Sequence, residues 1–186
     1  MPSQLVPPAV EFRTSFLDAM AEFRAEGRGG SEDDSVIGEE LRDLAHAWST
    51  PEGFAGYVRE LRGQAAEDWP RRAGYVPCTT LWWVDSGEYV GRLAIRHRLT
   101  DRLRRAGGHI GYDVRASARR RGHGTAMLRA AVPVVHALGI DPALLTVDRT
   151  NIASRTVIER VGGILDDGDT TKLRYWLPTS PVTPGP

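Results

Sequence analysis

The run Arg119-Arg120-Arg121-Gly122-His123-Gly124-Thr125 holds the residue types that grip an anionic phosphate. It follows a strand-like stretch, Gly108-His109-Ile110-Gly111-Tyr112-Asp113-Val114-Arg115, and opens a helix-like one over residues 126–138. Glycines at such a turn remove the Cβ that would keep a ligand off the backbone. The first N–H groups of a helix lack intrahelical partners and sit at the positive end of its dipole. The three arginines add positive charge and planar donors for phosphate oxygens. A charge run is more often a solvated turn, but Gly-x-Gly at a strand-to-helix junction tips the balance to phosphate. His123 sits between glycines, where its backbone rather than its imidazole is expected to matter.

Spacing separates the familiar phosphate loops. A Walker A loop requires Lys and then Ser or Thr after its second glycine, whereas Thr125 and Ala126 follow Gly124. A dinucleotide fingerprint requires a small residue where Met127 stands, and an acidic residue on the next strand, where none lies at the usual distance. A third pattern, Arg/Gln-x-x-Gly-x-Gly/Ala, is met by Arg119, Gly122 and Gly124. Downstream comes a short apolar strand candidate, Ala143-Leu144-Leu145-Thr146-Val147-Asp148. Then follows Asn151-Ile152-Ala153-Ser154-Arg155-Thr156-Val157-Ile158-Glu159-Arg160-Val161-Gly162-Gly163, in which an Asn opens a helix ending in Arg-x-Gly.

Loop, strand and Asn-led helix in this order resemble the GNAT superfamily of acyl-CoA-dependent N-acyltransferases. Val90-Gly91-Arg92-Leu93-Ala94-Ile95-Arg96-His97 and the Gly107-Gly108-His109-Ile110-Gly111-Tyr112 stretch resemble a bacterial subgroup of unassigned substrate. The resemblance spans about residues 76–177. It implies acetyl-CoA as co-substrate, with its pyrophosphate on Arg119, Arg120, Arg121, Gly122, His123, Gly124 and Thr125. The pantetheine arm is then expected to pair like an extra strand along Asp113, Val114 and Arg115, with Asn151 and Ser154 nearby. A backbone N–H near Val114 is placed to polarise the thioester carbonyl. Asn151 also reads as a plain helix N-cap, and the two roles are compatible.

The implied reaction is acetyl transfer to a primary amine of a small molecule or protein, by direct attack in a ternary complex. An alkyl ammonium has a pKa of about 10.4, so a group must accept its proton and another can protonate the departing sulfur. Many relatives use a Tyr on the Asn-led helix, where this chain has Ile158, and some a Glu where it has Gly108. The substitutes considered as catalytic residues are Tyr112 and His97, as the polar groups nearest the incoming amine, and Ser154, or Asn151 on the same face, as a hydrogen-bond partner of the thiolate, beside a water chain. His97 reads more simply as a structural strand-end residue. The missing Tyr and Glu leave an alternative, a non-catalytic acyl-CoA-binding sensor or accessory module.

The elements that must position these residues follow from hydrophobic period. Phe12, Phe16, Met20 and Phe23 recur at helical spacing within residues 9–24. Residues 39–48 and 52–66 read as further helices, the second behind Thr50 and Pro51. Residues 76–85 and 89–97, joined through Ser86-Gly87, read as a hairpin. Residues 4–8 read as an edge strand, 101–105 as a short helix, and 164–165 and 173–177 as the last strands, turning at 166–169. The fold class is therefore α+β, a mixed, mostly antiparallel central sheet flanked by helices, as the resemblance implies. One domain over residues 1–177 is expected, with a mobile Gly-rich loop at 26–35 and a disordered tail at 178–186.

Composition narrows the function classes. In 186 residues, 24 basic and 24 acidic side chains balance, which argues against nucleic acid or anionic membrane as partner. The single Cys78 excludes an intramolecular disulfide, and the five histidines lack metal-ligand spacing, so no metal is expected. Without a signal-like start or a long apolar run, the chain reads as cytoplasmic. Trp82 and Trp83 are consecutive, so one of them is expected to face outward, and a homodimer would cover it.

Overall fold

Ser86 and Gly87 both adopt positive φ, 51° and 84°, which is the backbone a two-residue hairpin turn needs. They join β2 (Cys78–Asp85) to β3 (Glu88–Arg96) and set the register Asp85↔Glu88. β1 (Gln4–Val6) flanks β2 and β4 (Ile110–Val114) flanks β3, giving an antiparallel sheet in the order β1-β2-β3-β4. β5 (Ala143–Asp148), β6 (Ile164–Asp166) and β7 (Lys172–Leu177) form a second antiparallel sheet, β5-β7-β6. This computed structural model describes residues 3–33, 35–166 and 171–181.

Helices cover both faces. α1 (Arg13–Ala25), α2 (Val36–Asp43), α3 (Ala45–Trp48) and α4 (Pro51–Gly63) precede the hairpin; α5 (Asp101–Arg105), α6 (His123–Ala137) and α7 (Ile152–Val161) follow it. The helix expected over 39–48 is two helices. It starts early because the Ser35 hydroxyl accepts from the Gly38 N–H. Thr50 caps α4 in the same way through Gly53, with Pro51 at the first helical position.

The two tryptophans correct the sequence expectation. Trp82 is 0% exposed and Trp83 3%, because the sheet is buried on both sides. Trp82 joins Phe16, Trp48, Phe54, Tyr57 and Tyr89 in the core beneath α1–α4, stacked on Phe16 at 5.4 Å between ring centroids. Trp83 points the opposite way, into the core with Leu93, Ile95, Met127, Leu128 and Ile158 beneath α6 and α7. Neither indole is left for a partner subunit. Trp176 is half-buried, and its N–H donates to Asp166 at 3.0 Å.

Of the expected tail, residues 182–186 lie outside the described residues, as do 167–170 of the last turn. Thr179, within that tail, is buried, its N–H bonded to Asp141 at 2.7 Å and its hydroxyl to the Ile140 carbonyl at 2.6 Å.

Candidate active site

The two sheets meet at one point and then part. The His109 N–H donates to the Leu144 carbonyl at 2.7 Å, and the Leu144 N–H returns a bond to His109 Nδ1 at 2.9 Å. Gly107 N–H adds a bond to Thr146 Oγ1 at 2.7 Å. Beyond His109, β4 and β5 form no ladder among the described residues. Gly108 permits this approach: its φ is +61°, and a Cβ there would collide with the Leu144 carbonyl.

The inner edge of β4 is readable from its pairing. The Arg96 N–H donates to the His109 carbonyl and the Arg115 N–H to Val90, so residues 109, 111, 113 and 115 bond to β3. Alternate residues of an antiparallel ladder turn the other way. Ile110, Tyr112 and Val114 therefore present their N–H groups to the gap. No register shift interrupts β3–β4, so this parity holds along the whole pair.

At the open end stands the start of α6. Gly122, at φ 86° and without a side-chain cap, precedes it. The first helical bond is Ala126 N–H to the Gly122 carbonyl, so the N–H groups of His123, Gly124 and Thr125 have no partner among the described residues. The loop is bolted at two places. His123 Nδ1 accepts from the Trp83 indole at 3.1 Å, so its imidazole has a structural role that sequence reasoning missed. Arg119 donates to the Val114 carbonyl at 2.9 Å and forks onto Glu26, so the fold already engages its side chain. Arg120 and Arg121 are exposed and form no ion pair among the described residues. Free N–H groups, a left-handed glycine, two free guanidinium groups and an unpaired strand edge in line fit a pyrophosphate followed by an amide-bearing arm.

The remaining predicted residues fall in separate places. The Tyr112 hydroxyl donates to the Ser154 carbonyl at 3.3 Å, on the α6–α7 face. Burial pushes the Tyr112 pKa up to about 12, against the lowering by its Ser154 bond. Asn151 Oδ1 accepts from the Ser154 N–H at 3.0 Å, so Asn151 caps α7. Asp113 and Arg115 turn their side chains to the opposite face, toward Arg28 and Glu22 respectively. Only their main chain borders the loop. His97 is not brought to Tyr112: it bonds Thr79 at 2.8 Å. It lies beyond the Ile95↔Ile110 pair, whereas Tyr112 opposes Leu93, a separation of about 13 Å along the strand. Burial lowers its pKa.

The family's usual acid and base positions are closed. Ile158 is 2% exposed within the α6–α7 core, and Gly108 has no room for a side chain. Among the described residues no group of His, Cys, Asp or Glu is arranged to hold a metal ion, and no helix is long and apolar enough to cross a membrane.

Parted strands ending at a bare helix start define the class: an acyl-CoA-dependent acyltransferase. Residues 36–164 match the family model for the acetyltransferase (GNAT) domain, and the chain belongs to that family. It is an acetyltransferase whose acyl donor is acetyl-CoA. Solved structures share the fold. Microcin C7 self immunity acetyltransferase MccE, in complex with acetyl-CoA and AMP, superposes with a TM-score of 0.63 at 11% identity, covering 95% of this chain and 92% of that one. RimJ of Mycobacterium smegmatis, in complex with CoA-disulfide, gives 0.64 at 18% identity over 96% and 86%. RimL, the ribosomal L7/L12 alpha-N-protein acetyltransferase, in complex with coenzyme A, gives 0.59 at 15% identity over 95% and 93%. No curated protein matches the chain in sequence.

Proposed function

We propose that the chain acetylates a primary amine, of a small molecule or of a protein, by direct attack within a ternary complex, and that it works in the cytoplasm. The observation that carries this reading is the parting of β4 and β5, which share no ladder beyond His109 among the described residues and run toward the free N–H groups of α6. An acyl donor lying in that gap has one face toward α6 and α7 and the other toward α1 and α2. The amine then approaches from the second side with no need to displace the donor, which favours direct transfer.

When bound, acetyl-CoA supplies an activated acyl carbon and a thiol leaving group. His123, Gly124 and Thr125 main-chain N–H groups bind the pyrophosphate, helped by Arg120 and Arg121. The N–H groups of Tyr112 and Val114 hold the pantetheine amides and polarise the carbonyl, an electrostatic contribution on the order of 3 kcal/mol per donor. Tyr112 and Ser154 stand together on the α6–α7 side, where they serve the sulfur. With a pKa of about 12, Tyr112 stays protonated at neutral pH, and its one O–H turns from the Ser154 carbonyl to donate to the sulfur. His97 is kept only as a residue at the rim of the acceptor space. RimL is named for an alpha-N-protein substrate, which supports a protein amine as one acceptor class for this chain.

The test is thiol release from acetyl-CoA by the purified chain against a panel of small amines, polyamines and amino-terminal peptides. Amine-dependent release supports transfer. A second reading, an acyl-CoA-binding sensor, is favoured by the closed positions at Ile158 and Gly108. It predicts calorimetric binding of acetyl-CoA with no release for any amine.

A further inference from the structure

Carboxylates on the α1–α2 side of the gap divide by how fully their oxygens are bonded. Glu22 accepts from Arg115 at 2.6 and 2.9 Å and from the Ser117 N–H and hydroxyl at 2.9 and 2.8 Å. Glu26 is forked by Arg119. Glu40 is buried with Arg92 at 2.5 Å and the Tyr57 hydroxyl at 2.8 Å. Asp33 accepts from Arg28 at 3.1 Å and from the Gly29 and Ser35 N–H groups, each at 3.0 Å. All four are used by the fold.

Asp113 is the exception. Its Oδ1 receives only two long contacts from Arg28, at 3.4 Å, because that guanidinium is committed to Asp33 and to Ser35 at 2.6 Å. Its Oδ2 has no partner among the described residues, and the side chain is 28% exposed. It also occupies a particular place. Asp113 lies between Tyr112 and Val114, whose N–H groups turn into the gap, and it faces away from Tyr112, toward the α1–α2 layer. At Gly111, two residues earlier on the same face, the Arg96 guanidinium lies 3.6 Å from where a Cβ would stand.

We propose that Asp113 is a catalytic residue for the acceptor. Its unused carboxylate oxygen binds the incoming nitrogen and takes the proton that nitrogen sheds during transfer. This rests on the amine-acetylation reading above. The ammonium form loses one proton to solvent on becoming nucleophilic. The nitrogen lone pair then forms the C–N bond as the C–S bond breaks and its electron pair leaves with sulfur. The nitrogen's second surplus proton passes to Asp113, and sulfur takes up one proton to depart as the thiol. Asp113 returns its proton to solvent, so one proton is released per turnover.

The experiment compares wild type, Asp113→Asn and Asp113→Glu with acetyl-CoA and whichever panel amine gives the highest thiol release. Asp113→Asn should lower kcat by about 10²- to 10⁴-fold at saturating amine. Asp113→Glu should recover part of the rate. The KM for acetyl-CoA should change by less than about threefold, because the donor is held by main chain at this position. A kcat for Asp113→Asn within about threefold of wild type overturns the proposal and leaves amine acetylation standing. A loss that appears equally as weaker calorimetric acetyl-CoA binding also overturns it, since the carboxylate then shapes the donor site. Wild type releasing no thiol with any amine removes both readings.

Discussion

His109 and Leu144 make two reciprocal bonds, main-chain N–H to carbonyl at 2.7 Å and main-chain N–H to Nδ1 at 2.9 Å. They join the two sheets at the vertex of the gap, and the second requires the imidazole nitrogen to be an acceptor. His109→Ala should cost about 1–3 kcal/mol, the price of leaving the Leu144 N–H unpaired, measured by chemical denaturation. Burial, then Arg104 and Arg96, lower the His109 pKa from its ordinary 6.5. The folded state therefore favours the neutral ring. As pH falls below about 6.5 the unfolded chain takes the proton first, and stability declines until the folded pKa is passed. The Tm of wild type should drop more between pH 7 and 5 than that of the alanine variant.

Gly108 cannot be converted into the base that some relatives carry. Gly108→Ala places a Cβ against the Leu144 carbonyl at a φ of +61°. Overpacking should cost about 1–3 kcal/mol, with a further penalty for the left-handed backbone. Gly108→Glu should lower the denaturation midpoint at least as much and leave turnover no higher than wild type. A gain in turnover would show that the vertex has room for a side chain.

The clamp between α1 and the donor loop predicts a split between binding and turnover. Glu26→Gln loosens Arg119, which also holds the Val114 carbonyl. The pair is exposed, so stability should change by less than about 1 kcal/mol. The KM for acetyl-CoA should rise by about threefold to tenfold with kcat unchanged, because the loop binds uniformly. A fall in KM would mean instead that Arg119, once freed, serves the phosphate.

Glu22, one turn before Glu26, predicts acid sensitivity. Burial raises its pKa, but the bonds from Arg115 and Ser117 outweigh this and bring it from 4.5 to about 2. Its contribution is complete above about pH 4.5 and is lost as pH falls toward 2. Glu22→Gln should cost about 1–3 kcal/mol at pH 7 and flatten the acid limb of a denaturation–pH profile.

Tyr112→Phe tests the sulfur-side pair. The lost bond to Ser154 should cost about 0.5–1.5 kcal/mol in stability. The kcat should fall by about tenfold if the hydroxyl donates to the departing sulfur. Unchanged turnover would remove Tyr112 from the mechanism while leaving its packing role.

Much of the frame was legible because it is local. Thr50, Pro51, Ser86, Gly87 and Asn151 act on their own turns and caps, and each stands where spacing placed it. The two-sided burial of Trp82 and Trp83 was not legible. Alternation says that neighbouring side chains point oppositely, but not that both faces of the sheet are covered. The roles of His123 and His109 were missed for a related reason. Their partners, Trp83 and Leu144, lie 40 and 35 positions away.

By itself, the sequence determined a strand-turn-helix element at residues 119–125, proposed above to hold the phosphate, and the Asn-led helix after it. Such an element depends on main-chain N–H groups and glycine backbone angles, which neighbouring residues set. The tertiary structure decided which side chains remain available there. Glu22 is 93 positions from Arg115 and Glu26 93 from Arg119, and only folding brings α1 across to consume those guanidinium groups. Glu40 is likewise taken by Arg92, 52 positions away, whereas Asp33 is bonded within its own loop, and Asp113 keeps an open oxygen. A charged group's freedom depends on every partner within reach, and the identity of those partners is a property of the assembled fold.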